Sequence, residues 1–153
     1  LKDPMLILAD NRKARHDYQV LDQLEVGIVL TGTEVKSCRA RNISLADAYA
    51  KADNGELWLH NAHIAPYEQG NRNNHEPRRP RKLLLQKREL RRLVQAIETK
   101  GLTLVPLKIY LNPRSLIKVD LGLCRGRQQH DKRDEMKRQA DTRETQRAVR
   151  EHR

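Results

Sequence analysis

Apolar residues recur with two different periods along this chain, and the periods divide it into elements. From Gln19 to Leu30, "QVLDQLEVGIVL", alternation is mixed with β-branched side chains. That predicts a strand, with Gly27 as a bend or bulge. In "ADAYAKADNGELWLHNAHI" two strand-like runs flank Asp53-Asn54-Gly55. Asn-Gly is the favoured pair for a two-residue hairpin turn, because both turn positions need positive φ. Leu57 and Leu59 alternate with Trp58 and His60, so the second arm has two faces. Farther on, "LTLVPLKIYL" is strand-like, and its Pro106 predicts an edge position or a bulge. After the turn "NPR", Ile117, Val119, Leu121 and Leu123 alternate with Lys118 and Asp120, as in a half-buried antiparallel strand.

The other period is helical. Leu90, Leu93, Val94 and Ile97 fall at i, i+3, i+4 and i+7, and Gly101 follows as a C-terminal cap. A shorter helix is expected in "TGTEVKSCRAR", capped by Thr33, with Lys36, Arg39 and Arg41 outward. "DNRKARHDY" has no apolar period and reads as a short helix or an arm. Residues 66–82, punctuated by Pro and Gly, read as a long polar loop. Leu93, Val94, Ile97, Leu104, Ile117, Val119 and Leu121 are the expected core. Antiparallel strands with helices between them, and no βαβ rhythm, predict a mainly β protein: a small antiparallel barrel with embedded helices. The oligonucleotide-binding barrel is the natural member of that class, although the pattern alone admits other β-rich α+β folds.

The pattern ends near Cys124. In "RGRQQHDKRDEMKRQADTRETQRAVREHR" only Met136, Ala140, Ala148 and Val149 are aliphatic. The expected organisation is a barrel over residues 1–124 and a basic tail over 125–153 that is disordered when free, because a segment without an apolar face cannot offset its ordering entropy alone.

Charge then narrows the partner. The net charge is +11, with a pI near 10.1. Nucleic acid is the first candidate and an anionic membrane the second. No apolar run approaches the ~18 residues of a membrane span, and "MLILA" is too short for a signal-peptide core, so a cytoplasmic protein without membrane contact is expected. Cys38 and Cys124 are read as reduced, half-buried residues. The match to a glycosylation acceptor at Asn42-Ile43-Ser44 is accidental in that compartment.

Cations cluster as Arg12, Lys13, Arg15 and His16, as Lys36, Arg39 and Arg41, and as Arg78, Arg79, Arg81 and Lys82. Any one cluster is compatible with a solvated face; three together with a basic tail favour nucleic acid. Arginine predominates, which suits structured RNA. Aromatics make up 3% of the chain and Phe is absent. That argues against indiscriminate stacking on single strands and for recognition of a folded RNA by shape and backbone. His60 and His63, on a predicted strand with no third ligand nearby, do not make a metal site. No nucleophile–base pair or phosphate-cradling loop is visible, so neither enzyme activity nor a cofactor is expected. Glu25 and Glu34 are each expected to balance a nearby arginine.

Seven segments, "NRKARHDY", "TGTEVKS", "GELWL", "HIAPYEQGN", "PRRPRKLLL", "GLTLVPLKIY" and "RGRQQHDKR", occur in order over about residues 8–135. Together they resemble small protein B, the SsrA-binding protein family that partners transfer-messenger RNA. The resemblance implies an oligonucleotide-binding barrel that binds the tRNA-like domain of that RNA. It implies support of the RNA's alanylation, and so an indirect link to alanyl-tRNA synthetase. It also implies delivery, with elongation factor Tu and GTP, to the small-subunit decoding region of stalled ribosomes. Nascent-peptide tagging follows in that scheme. It places Asn11, Arg12, Lys13, Arg15, His16, Glu25 and Leu84 on the RNA face, beside the cluster residues Lys36, Arg39, Arg81 and Lys82. In the tail it assigns Gly126, His130, Asp131, Lys132 and Arg133 to decoding and implies a helix on the ribosome. The chain departs from the family at Arg127-Gln128, where a lysine pair is usual, at Cys124 for alanine and at Arg41 for glycine. The competing readings are a generic ribosomal or single-strand-binding barrel and a small nuclease or other RNA-modifying enzyme.

Overall fold

The structure is a computed structural model that describes residues 6–69 and 74–126. In chain order its elements are β1 (Leu6–Asp10), α1 (Arg12–Asp17), β2 (Tyr18–Ile28), α2 (Gly32–Arg39), β3 (Ile43–Ser44), β4 (Tyr49–Asp53), β5 (Glu56–His60), β6 (His63–Ile64), β7 (Arg81–Leu84), α3 (Lys87–Lys100), β8 (Thr103–Leu111) and β9 (Ile117–Gly126). The large sheet runs β1-β8-β4-β5-β7-β2-β9, and a further β8–β9 pairing joins its ends. All pairings are antiparallel. Six strands therefore close a barrel, and β1 adds outside the ring on the edge of β8 beyond its contact with β4. Closure removes the exposed strand edges that would otherwise template aggregation.

Alternation works as expected in most strands. Leu57 and Leu59 of β5, Leu83 of β7 and Val119, Leu121 and Leu123 of β9 fill one core, which Leu90 and Leu93 of α3 also enter. The β4–β5 turn has φ of 51° at Asn54 and 74° at Gly55, the mirror-image turn that the Asn-Gly pair predicts. Gly101 ends α3 with φ of 64°, its N–H bonded to the Ile97 carbonyl.

Other expectations need correction. Val94, Ile97 and Ile117 are half-buried at the margin of the core rather than inside it. Segment 6–10 forms β1, because its backbone completes β8 opposite Lys108–Leu111. Thr31, not Thr33, caps α2: its hydroxyl accepts from the Glu34 N–H while the Glu34 carboxylate accepts from the Thr31 N–H. That reciprocal box needs the acid three residues after the cap. Gly27 is neither bend nor bulge. It stays in register with Leu84 and Lys118, and the irregularity in β2 lies between Val20 and Asp22. A side chain at Gly27 would put its Cβ 3.2 Å from the Leu84 Cβ. Pro106 does mark a bulge, since the register shifts between Pro106 and Lys108, although β8 is paired on both sides. Cys38 and Cys124 are free thiols, fully rather than half-buried. Burial pushes their pKa up to about 12 and about 11, so neither is a thiolate near neutral pH.

α1 packs on the outside of the wall. Ala14 meets Val105, Leu107 and Cys124 in a small second core. No helix among the described residues is long and apolar enough to cross a membrane.

Candidate nucleic-acid interface

Because Leu24, Val26 and Ile28 of β2 pack on the core, Glu25 and Gly27 face outward. Register then brings distant residues onto one surface. Leu84, Gly27, Lys118, Tyr110 and Ile7 are successive cross-strand partners over β7, β2, β9, β8 and β1. At roughly 4.8 Å per strand this row is about 19 Å long. In the adjoining row Glu25, Asp120, Lys108 and Asp10 are paired in the same way. Glu25 and Leu84, which lie 59 positions apart in sequence, are thus neighbours. Leu84 is 49% exposed and rests over Gly27.

The electrostatics of this wall are mixed. Glu25 accepts a hydrogen bond from the Tyr110 hydroxyl and forms no ion pair among the described residues. The expectation that an arginine balances it is therefore corrected: β8 presents a tyrosine at the position from which Glu25 is reached. The Tyr110 hydroxyl is held above its ordinary pKa, first by burial and then by the bond to Glu25. Asp120 is also raised, by burial and by the nearby Glu25 charge, against the opposing pull of Lys108 and Arg15. The Lys108 ammonium lies 5.9 Å from the centre of the Tyr110 ring.

α1 borders the wall. Arg12, Lys13, Arg15 and His16 are all exposed on it. Arg15 is 2.9 Å from Asp10, Lys13 is 2.7 Å from Asp47, and His16 Nδ1 is 3.1 Å from Asp17. Lys13 is held above its ordinary pKa by the bond to Asp47. Asn11, expected on the RNA face, is only 2% exposed. Its Oδ1 accepts from the Ala14 N–H as the cap of α1, while its Nδ2 donates to the carbonyls of Leu45 at 3.0 Å and Pro106 at 2.8 Å. Every strong polar valence is satisfied internally, so Asn11 positions the basic helix and does not itself face a partner.

Arg81 also leaves the expected site. It is fully buried, with Nε 2.5 Å from Glu34 and its other nitrogens donating to the carbonyls of Ala62 at 2.7 Å and Pro77 at 2.9 Å. Arg79 binds the same carboxylate. Burial pushes the Glu34 carboxyl up, but the bonds from Arg79, the Thr31 N–H and Arg81 outweigh it and hold the group below its ordinary value. Here the expected carboxylate–arginine balance is present. It ties α2 to β7 and leaves Arg81 unavailable to an RNA. Lys82 remains accessible and pairs with Glu56 at 3.0 Å. Lys36 and Arg39 are exposed on α2; the Lys36 ammonium sits 5.3 Å from the Tyr67 ring centre. Gly126 is the last residue of β9, paired with Tyr18. His130, Asp131, Lys132 and Arg133 lie outside the described residues.

Sequence reasoning missed Tyr110, Lys108 and Lys118 as members of this surface. The outward phase of "IKVDLGLC" pointed to Lys118 and Asp120, but their juxtaposition with Glu25 depends on β2–β9 register, which no local pattern encodes. His60 stacks on Tyr49 with ring centres 5.2 Å apart. Among the described residues no group of three or more His, Cys, Asp or Glu side chains is placed to hold a metal.

A closed antiparallel barrel with helices inserted between its strands, and a basic helix beside an outer wall of mixed charge, defines a class of small β-barrel protein that presents cations at its surface. Within that class, the family model described as "SmpB protein" matches residues 8–151. The SsrA-binding protein of Carboxydothermus hydrogenoformans is 55% identical, covering 94% of this chain and 96% of that one. The SsrA-binding protein of Moorella thermoacetica is 53% identical, covering 95% and 94%. A solved chain described with the words "tmRNA-SmpB: a journey to the center of the bacterial ribosome" is 52% identical, with a TM-score of 0.68 over 86% of this chain and 94% of that one. The chain belongs to the SmpB family.

Proposed function

We propose that this protein binds transfer-messenger RNA and brings it to stalled ribosomes. The observation that carries the reading is identity above 50% to SsrA-binding proteins across nearly the whole chain. The +11 net charge and the α1 cations beside the open wall support it, since phosphate contacts supply most of the affinity for a nucleic acid. The proposed RNA surface comprises Arg12, Lys13, Arg15, His16, Glu25, Lys82 and Leu84, extended by Lys108 and Lys118. Lys36 and Arg39, exposed on α2, belong to the proposed RNA-binding set as well. The finer reading has residues 1–124 as the RNA-binding unit and residues 125–153, with His130, Asp131, Lys132 and Arg133, as the part that acts in the decoding region. Elongation factor Tu and alanyl-tRNA synthetase are reached through the RNA. The role is that of a cytoplasmic adaptor, not a catalyst.

Gel-shift titration against the isolated tRNA-like domain and against unstructured RNA of equal length tests this. Strong preference for the folded RNA, with affinity falling steeply as salt rises, is expected. Equal affinity for both RNAs overturns the reading in favour of a general RNA-binding barrel.

A further inference from the structure

We propose that Tyr110 is a positioning residue that presets the Glu25 carboxylate to accept a hydrogen bond from an RNA donor group, either a base edge or a 2′-hydroxyl. The proposal rests on the RNA-binding reading and assigns a role within it.

Asp10, Asp17, Asp22, Glu34, Asp47 and Glu56 pair with basic side chains, whereas Glu25 and its neighbour Asp120 form no ion pair among the described residues. Glu25, exposed in the middle of the open wall, instead receives the hydroxyl of Tyr110, a residue only 4% exposed. A tyrosine O–H supplies a directed bond without cancelling the negative charge. The ring is largely buried: Tyr110 is paired in β8 with Lys118 of β9 and Ile7 of β1, and the Lys108 ammonium lies 5.9 Å from the ring centre. Tyr110 therefore engages one oxygen, Oε2, and leaves Oε1 with no protein partner among the described residues. Asp120 lies directly across from Glu25 on β9. Two acids side by side repel a phosphate, so this spot adds no general affinity. A carboxylate on such a surface is useful only toward donors, which in RNA are base N–H groups and the 2′-hydroxyl. Holding it in one rotamer removes the freedom that binding would otherwise have to restrict. Lys118 and Lys108, flanking it, are placed to hold the adjoining phosphates.

A double-mutant cycle with the full chain tests the assignment, using the tRNA-like domain as probe. Tyr110→Phe deletes one oxygen and keeps the ring. It is expected to weaken binding roughly threefold to tenfold, the scale of immobilising one side chain on binding, with an unchanged salt slope, since no charge is lost. In a Glu25→Ala background the same change is expected to cost nothing more. Single 2′-deoxy and inosine substitutions in the RNA then identify the donor: the one that Glu25 reads loses affinity for wild type and not for Glu25→Ala. A Tyr110→Phe loss that is equal in both backgrounds, or absent, overturns the proposal. Wild-type protein that fails to prefer the tRNA-like domain sinks the RNA reading itself, and this assignment with it.

Discussion

Two glutamates, nine residues apart, are treated in opposite ways by the same barrel. Glu34 is fully buried and receives two arginines and a backbone N–H. Glu25 is exposed and receives one neutral hydroxyl. In the interior, a charge without a partner costs several kcal/mol, so the fold supplies its neutralisation from within. On the wall, water screens the charge, and leaving it without a cation keeps its acceptor capacity for something outside. The pair shows that runs of basic residues carry no single meaning. In "PRRPRK", Arg79 and Arg81 serve Glu34, while Lys82 reaches the surface.

The strongest way to break this contrast is to remove Glu34. Glu34→Ala strands Arg81 in the core and is expected to destabilise the protein by about 3–5 kcal/mol, read by urea unfolding. A loss below ~1 kcal/mol would place that network in the class of surface pairs. The pH dependence should follow from the same group. Its folded carboxyl lies below its unfolded value, so its contribution is fully present above an unfolded pKa of ~4.3 and disappears as pH falls through the folded value. Urea midpoints between pH 7 and pH 3 are expected to drop more for wild type than for Glu34→Gln. Parallel curves would mean that other carboxylates dominate acid unfolding.

Glu25→Ala should do the reverse. Stability is expected to fall by about 1 kcal/mol, because the Tyr110 hydroxyl loses its acceptor, while affinity for the tRNA-like RNA falls by an order of magnitude or more. A stability loss as large as that of Glu34→Ala would make Glu25 a structural residue like Glu34. The smallest effect is expected at the exposed pair of Arg92 and Asp22, 3.0 Å apart. Arg92→Ala should leave both Tm and RNA binding unchanged at physiological salt, which sets the baseline for the other three.

The sequence made the local elements legible because their causes are local. Asn54-Gly55 turns because those two residues tolerate positive φ, and the Leu90, Leu93, Val94 and Ile97 stripe is helical because of its spacing. The errors have a common physical origin in partners far along the chain. Asn11 resembled a member of the basic cluster beside it, but its amide bonds carbonyls 34 and 95 residues away. Arg81 resembled its neighbours until β7 turned it inward to Glu34, 47 residues distant. Tyr110 sat in an ordinary strand pattern, and only the register of three strands brings it to Glu25. The resemblance to a known family supplied Glu25 and Leu84 as site residues. The rows on the wall are what make them neighbours.

The placement of β9 between β2 and β8 also governs how the molecule comes into being. Tyr18 is paired with Gly126, so the first strand of the ring waits for the last. Contacts this distant in sequence close slowly, because most of the loop entropy is lost before they form. During synthesis, when domains tend to fold as units from the N-terminus, this ring has no complete N-terminal portion to fold early. A chain broken off before Ile117 would lack the strand that supplies both seams and would expose the edges of β2 and β8 together. Closure of this barrel therefore waits on its last strand: a product shortened before Ile117 is expected to stay open rather than to be a weaker version of the protein.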